Sequence, residues 1–266
     1  MPIGWVDLND YSFNSLLLLE RFEIRVMFCI DKEEWKRCMG IALAANPEVR
    51  WYLEHRCPEC AGLIEELAAG APKTSDKEQV RAAEVNIMDG VEDFIVYTTP
   101  EVMAEKCDFI KGWSKERLFD LVDLAGKTVL DIGAGSGRLT FAAAEKAAWV
   151  YASEPVGTLR EFMRDKIKKE GIRNVRVMDG FVTDLPFPDD TFDVVMSGHV
   201  IGDDLDAEIA EMTRVCKPGG WLIDCPGDSK WDMHQKPELT SRGWEEFHYI
   251  GSYGKNVFIH RKQVVK

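Results

Sequence analysis

Two hydrophobic periods divide this chain. Up to about residue 112, apolar positions recur every three or four residues, the spacing of a helix face. Trp35, Met39, Ala42 and Leu43 share one such face between Asp31 and Asn46, with Asp31 as the expected cap and Glu34 three residues on. Pro47 to Arg56, Pro58 to Ala69 and Lys77 to Met88 read as further helices, separated by Cys57-Pro58 and Gly70-Ala71-Pro72. Another begins at Thr99-Pro100, and Ser114 caps one running to Leu124. The first 26 residues fit no clear element, and Met27 is an alternative natural start.

Beyond Gly126 the pattern changes to short continuous apolar runs alternating with helical stretches, the signature of a parallel sheet with crossover helices. Val129 to Ile132, Trp149 to Glu154, Val175 to Asp179 and Phe192 to Met196 are expected strands. Arg138 to Ala148 and Thr158 to Glu170 are the helices between the first three, the second closed by Gly171. Trp244 to Gly251 and Lys255 to Arg261 alternate with period two around Gly251-Ser252-Tyr253-Gly254, which predicts a closing hairpin. The expected division is a helical cap over 1–112 and a sheet domain over 113–266.

The chemistry concentrates after the first strand, in Asp131-Ile132-Gly133-Ala134-Gly135-Ser136-Gly137. Three alternating glycines let the backbone turn tightly and approach a ligand with no Cβ between them. The dinucleotide fingerprint needs its third glycine one place later, where this chain has Arg138. A nicotinamide-dependent oxidoreductase is therefore the weaker reading. Glu154 ends the second strand about 20 residues on, where a carboxylate accepts both ribose hydroxyl protons. Pro155 follows it and helps end the strand.

Asp131-x-Gly133-x-Gly135-x-Gly137, Leu185-Pro186-Phe187 followed by Phe192-Asp193-Val194-Val195, and Lys217-Pro218-Gly219-Gly220 occur in order. Together they resemble the Rossmann-like (class I) S-adenosylmethionine (SAM) methyltransferases, in particular the quinone-biosynthesis C-methyltransferase and methyltransferase type 11 subgroup. The resemblance runs from about residue 115 to about residue 262. It implies an α/β fold, a doubly wound seven-stranded sheet of order 3-2-1-4-5-7-6 with strand 7 antiparallel. It also implies SAM as cofactor and S-adenosylhomocysteine as product. In the family's scheme Asp131, Gly133, Ala134, Gly135 and Gly137 form the loop under the methionine and ribose part, Glu154 holds the ribose and Pro155 lies along the adenosine. Val182 and Thr183 flank the adenine. The family's usual acid four positions before the Leu is Phe181 here, which leaves Asp179 or a backbone amide to read the adenine amino group. Ser197, Gly198 and His199 end strand four at the ligand crevice of an open sheet. His199 is either an acceptor-side base or a packing residue, with His234 and Tyr97 as weaker bases. Tyr97, Trp113 and Tyr253 are the aromatic candidates for the cationic sulfur. Asp203 and Asp204 read as the cap of the next helix.

Composition narrows the partners. A net charge of −13 argues against nucleic acid, so the expected partner is a small-molecule methyl acceptor. No run is long enough to span a membrane, and no basic segment precedes Leu16 to Leu19 as a signal peptide requires, so the cytoplasm is the expected location. The oligomeric state has no signature in the sequence. Seven cysteines point to thiols rather than a disulfide framework. Cys57-Pro58-Glu59-Cys60 lacks a second ligand pair, so no metal site is expected. It stays open as a structural pair, a redox pair or a soft-metal contact. Two alternatives accompany the small-molecule reading: methylation of a metal or metalloid bound by Cys57 and Cys60, and a non-catalytic SAM-binding protein.

Overall fold

In a computed structural model, which describes residues 4–72 and 74–266, the chain divides after Pro100 into two compact units. That is earlier than the boundary at 112 expected from the helical pattern. The first unit is helical: α1 (Arg21–Met27), α2 (Glu33–Ala45), α3 (Pro47–Arg56), α4 (Ala61–Gly70), α5 (Lys77–Gly90) and α6 (Glu92–Tyr97). The face of α2 predicted from spacing is buried, with Trp35, Met39, Ala42 and Leu43 all in the core. Its expected cap fails, however. Asp31 pairs with Lys36 instead, and Lys32 occupies the cap position without a side-chain bond.

The first 26 residues also depart from expectation. Two 3-10 turns (Leu8–Asp10 and Phe13–Leu18) lead into α1, and Leu16, Leu19 and Ile24 are buried in the unit's core. Backbone groups hold this segment in place. The buried Glu92 carboxylate accepts from the N–H groups of Gly4, Trp5 and Val6 at 2.8, 2.6 and 3.2 Å. Arg81 donates to the carbonyls of Leu8, Asn9 and Tyr11.

The second unit holds a seven-stranded sheet: β1 (Thr128–Ile132), β2 (Trp149–Ser153), β3 (Val175–Met178), β4 (Phe192–Ser197), β5 (Cys216–Asp224), β6 (Glu245–Ile250) and β7 (Asn256–Gln263). Their order is β3-β2-β1-β4-β5-β7-β6, parallel except that β7 runs antiparallel to both neighbours. The remaining helices are α7 (Pro100–Lys106), α8 (Glu116–Leu121), α9 (Arg138–Ala144), α10 (Gly157–Glu170), α11 (Leu205–Val215) and α12 (Pro237–Thr240). Apolar side chains leave both faces of the sheet. Val129, Val194 and Met196 pack with Leu139 and Ala143 of α9, while Leu130, Val195 and Leu222 pack with Met212 of α11. Asp204 caps α11 by accepting from the Ala207 N–H at 3.2 Å, as its spacing predicts.

The Leu-Pro-Phe link also has a physical basis. Arg214 of α11 donates to the carbonyls of Phe187 and Leu185, and Glu211 accepts from the Leu185 N–H at 2.8 Å. Phe187 meets Phe192 edge to face at 4.7 Å between ring centroids. These contacts deliver the chain into β4 and so place Ser197 and His199 at the sheet's carboxyl edge.

Candidate functional site

The loop from β1 to α9 carries Gly133, Gly135 and Gly137 at φ of +59°, +59° and +92°. L side chains avoid that region, so the loop can take this path only as glycine. Neighbouring side chains already fill the space that Cβ atoms would take. A Cβ on Gly133 would lie 2.2 Å from the Val200 side chain, and one on Gly137 would lie 2.3 Å from the Phe141 ring. Ala134 ties the loop to β2 through its N–H and the Ser153 carbonyl at 3.1 Å. Ahead of the loop, Asp131 is buried and accepts from Thr140 Oγ1 at 2.5 Å. Burial pushes its carboxyl up to about 7, against the pull of Thr140 and Arg138.

Glu154 ends β2 beside this loop and is 4% exposed. Oε2 accepts from the Gly135 N–H and Oε1 from the Val156 N–H, both at 2.8 Å. A carboxylate has about four acceptor positions, so two remain for other donors. Burial raises this carboxyl to about 7 although both N–H groups favour its charge. Pro155 sits half-buried after it.

Along the edge toward β3, Asp179 is exposed and paired with Arg160 at 3.2 Å. Arg160 also donates to the Glu154 carbonyl, so Asp179 is held at the periphery of the loop. Phe181 is 43% exposed, and with Asp184 it frames the tight turn that carries Val182 and Thr183. Toward β4, Ser197 is fully buried with no partner for Oγ, and the exposed ring of His199 follows two residues later. The expected residues therefore line the carboxyl ends of β1, β2, β3 and β4.

Several groups at this edge are absent from the sequence reading. Arg138 sends its guanidinium under Gly198 to the Cys225 carbonyl at 2.9 Å and stacks on Trp113 at 4.5 Å. Trp113 is thus committed to Arg138, and Tyr253 to the Lys111 carbonyl. Asp224 of β5 lies beside Ser197 in register, and its Oδ2 is shared by Lys236 at 2.9 Å and His260 Nδ1 at 3.1 Å. His260 Nε2 faces Glu246 at 3.2 Å, while Asp224 Oδ1 is buried without a partner. The signal that could find this row is strand register, which requires the sheet order.

The residues present fit an adenosyl cofactor. A tight glycine turn borders a carboxylate with two unused acceptor positions, and the exposed apolar face of Phe181 lies next along the edge. No group of three or more candidate metal ligands occurs among the described residues. Cys57 and Cys60 belong to the first unit, with their sulfurs 3.3 Å apart and buried.

Residues 129–220 match the family described as a methyltransferase domain. The ubiquinone/menaquinone biosynthesis C-methyltransferase UbiE of Legionella pneumophila (strain Corby) is 34% identical over 138 residues, covering 50% of this chain and 54% of that protein. The demethylmenaquinone methyltransferase of Geobacillus stearothermophilus is 33% identical over 116 residues, 42% of this chain and 50% of that one. This chain thus spans about half the length of the curated relatives it matches. A putative S-adenosyl-L-methionine-dependent methyltransferase from Methanococcus maripaludis shares the fold, with a TM-score of 0.51 at 16% identity over 64% of this chain and 94% of that one. Residues 129–220 thus carry a methyltransferase domain, and the strand order gives the sheet unit the Rossmann-like fold of SAM-dependent methyltransferases.

Proposed function

We propose that this chain transfers a methyl group from SAM to a small organic acceptor bound at the carboxyl ends of β4 and β5. The observation that carries the reading is Glu154, whose carboxylate is 2.8 Å from the Gly135 N–H and so joins a ribose-binding group to the glycine turn. Bound SAM supplies a methyl already activated on a sulfonium, open to in-line attack. The protein's work is alignment and exclusion of water. Gly133, Ala134, Gly135 and Gly137 pass beneath the methionine and ribose, and Asp131 braces the loop through Thr140. Glu154 receives the ribose hydroxyls. Pro155, Val182 and Thr183 would hold the adenine, with Asp179 available to its amino group, and Ser197 would support the site from the end of β4. His199 faces the acceptor.

The names of these relatives concern quinone biosynthesis, so a hydroxylated ring is the first acceptor class to try. A cytoplasmic location suits the seven free thiols, and no helix among the described residues is long and apolar enough to cross a membrane. The acidic net charge continues to argue against nucleic acid. Among the described residues no third ligand joins Cys57 and Cys60, so nothing there supports metal methylation.

Calorimetric titration with SAM, S-adenosylhomocysteine and NAD tests the reading. Micromolar binding of both adenosyl compounds and none of NAD is expected. Binding of NAD alone, or of none of the three, refutes it. Cofactor binding without methyl release in an acceptor screen identifies the non-catalytic alternative.

A further inference from the structure

We propose that His199 serves the reaction as a hydrogen-bond donor through Nδ1 rather than as a base, so that the crevice takes an acceptor with an anionic or enolic oxygen. The proposal rests on the methyltransferase reading above and deepens it by naming the acceptor's chemistry.

The argument begins with Gly227, whose N–H points at His199 Nε2 from 3.3 Å. A backbone N–H only donates, so Nε2 presents its lone pair and the ring proton of a neutral imidazole resides on Nδ1. Gly227 is fixed where it stands. A Cβ there would lie 1.8 Å from the Phe109 carbonyl oxygen, so only glycine lets the two segments pass. The Phe109 ring meets the imidazole edge-on, 4.9 Å between centroids, and holds its plane. No described residue bonds Nδ1, and the ring is exposed, so its N–H opens toward the crevice.

A second proton on this ring is opposed from several sides. It would set one N–H against another at Gly227. It would also place a cation next to the Arg138 guanidinium, which reaches under Gly198 from α9. Desolvation by the protein packed on one side of the ring is the largest influence on it, and Arg138 and Lys236 add to it. Asp224 of β5 and Asp108 oppose it, and the balance holds His199 near 4. The ring is therefore neutral across the physiological range, with its only lone pair occupied.

Such a histidine accepts no proton from the acceptor, but it meets a negative oxygen well. A phenolate or enolate that has already lost its proton to solvent brings none to remove. Methyl transfer to that anion gives a neutral product, so protons and charge balance without a base. Nδ1–H holds the oxygen in place while the methyl is transferred.

Nitrogen NMR of the full chain labelled with 15N-histidine tests the tautomer, with His199→Phe assigning the signal. A proton on Nδ1, none on Nε2, and no change from about pH 6 to about pH 8 are expected. A proton on Nε2, or an imidazolium within that range, overturns the proposal. The acceptor class is read with 4-nitrophenol, whose ionised form has its own visible absorption, added to the complex with S-adenosylhomocysteine. The wild type should bind the ionised form, and His199→Asn, which keeps an N–H donor, should bind it within about threefold. His199→Phe should bind it about tenfold or more weakly, the effect of one hydrogen bond to a charged group. Preference for the un-ionised form, no binding, or equal binding by His199→Phe overturns the acceptor class. Failure of the wild type to bind S-adenosylhomocysteine refutes the methyltransferase reading itself, independently of the tautomer.

Discussion

At the scale of single residues, Glu154 makes the sharpest statement. Two backbone N–H groups fix its orientation, yet its burial raises the carboxyl to about 7. In the proposed role ribose hydroxyls donate to the ionised form, which would link cofactor binding to proton loss. We expect S-adenosylhomocysteine affinity to fall as pH drops below about 7, approaching tenfold per pH unit. Glu154→Gln should bind several-fold more weakly and lose most of that pH dependence, as read by calorimetry at a series of pH values. A wild-type affinity flat from about pH 5 to about pH 8 contradicts the assignment of Glu154 to the ribose. The place of Glu154 beside the glycine loop is legible in sequence because spacing after that loop encodes it. The state of His199 is not, because it depends on Gly227 and Phe109, which only the fold brings to the ring.

Among elements, the same division between local and non-local information holds. Pro47–Arg56 is helical as predicted, since proline at its first position and the four-residue spacing of buried Val49 and Leu53 are local signals. The strand order also follows from motifs in sequence. Helix α6 and the segment before α1 are not legible, because Glu92 and Arg81 hold the latter through backbone groups far along the chain. The polar row Ser197, Asp224, His260 and Glu246 is the strongest case. Its members come from four strands and meet only through register, β4 with β5, β5 with β7 and β7 with β6. His260 is fully buried between two carboxylates, so His260→Ala leaves Asp224 and Glu246 facing a void with only Lys236 as counter-charge. Breaking such a buried network should cost about 3 kcal/mol in urea unfolding. A loss below about 1 kcal/mol would show that the row contributes no more than an exposed ion pair.

For the whole molecule, the buried acids of the loop set how stability responds to pH. Asp131 and Glu154 both have folded values of about 7, well above those of an unfolded chain. A raised carboxyl stabilises the fold fully below the unfolded value and loses that contribution as pH rises through the folded one. Each therefore removes up to about 1.4 kcal/mol per pH unit between about 4 and about 7. His199 works in the opposite sense, because its folded value near 4 lies below that of a free histidine. The unfolded chain then binds the extra proton, and stability gains with pH from about 4 to about 6.5. Glu59, held near 2 by Arg21, adds a rise only below about pH 5, where the unfolded chain still binds its proton, and no slope above it. Two falling contributions against one rising one leave a net loss of stability as pH climbs toward 7. The growing negative charge of a chain that reaches −13 reinforces it. Thermal unfolding of the Asp131→Asn/Glu154→Gln double variant should remove both falling contributions and leave the rise due to His199. The expected result is a wild-type melting temperature that drops from about pH 5 to about pH 7 while that of the variant holds or climbs. Parallel profiles for the two proteins would mean that Asp131 and Glu154 ionise in the fold as they do in water, and the linkage between the loop's protonation and its ligand would fail with them.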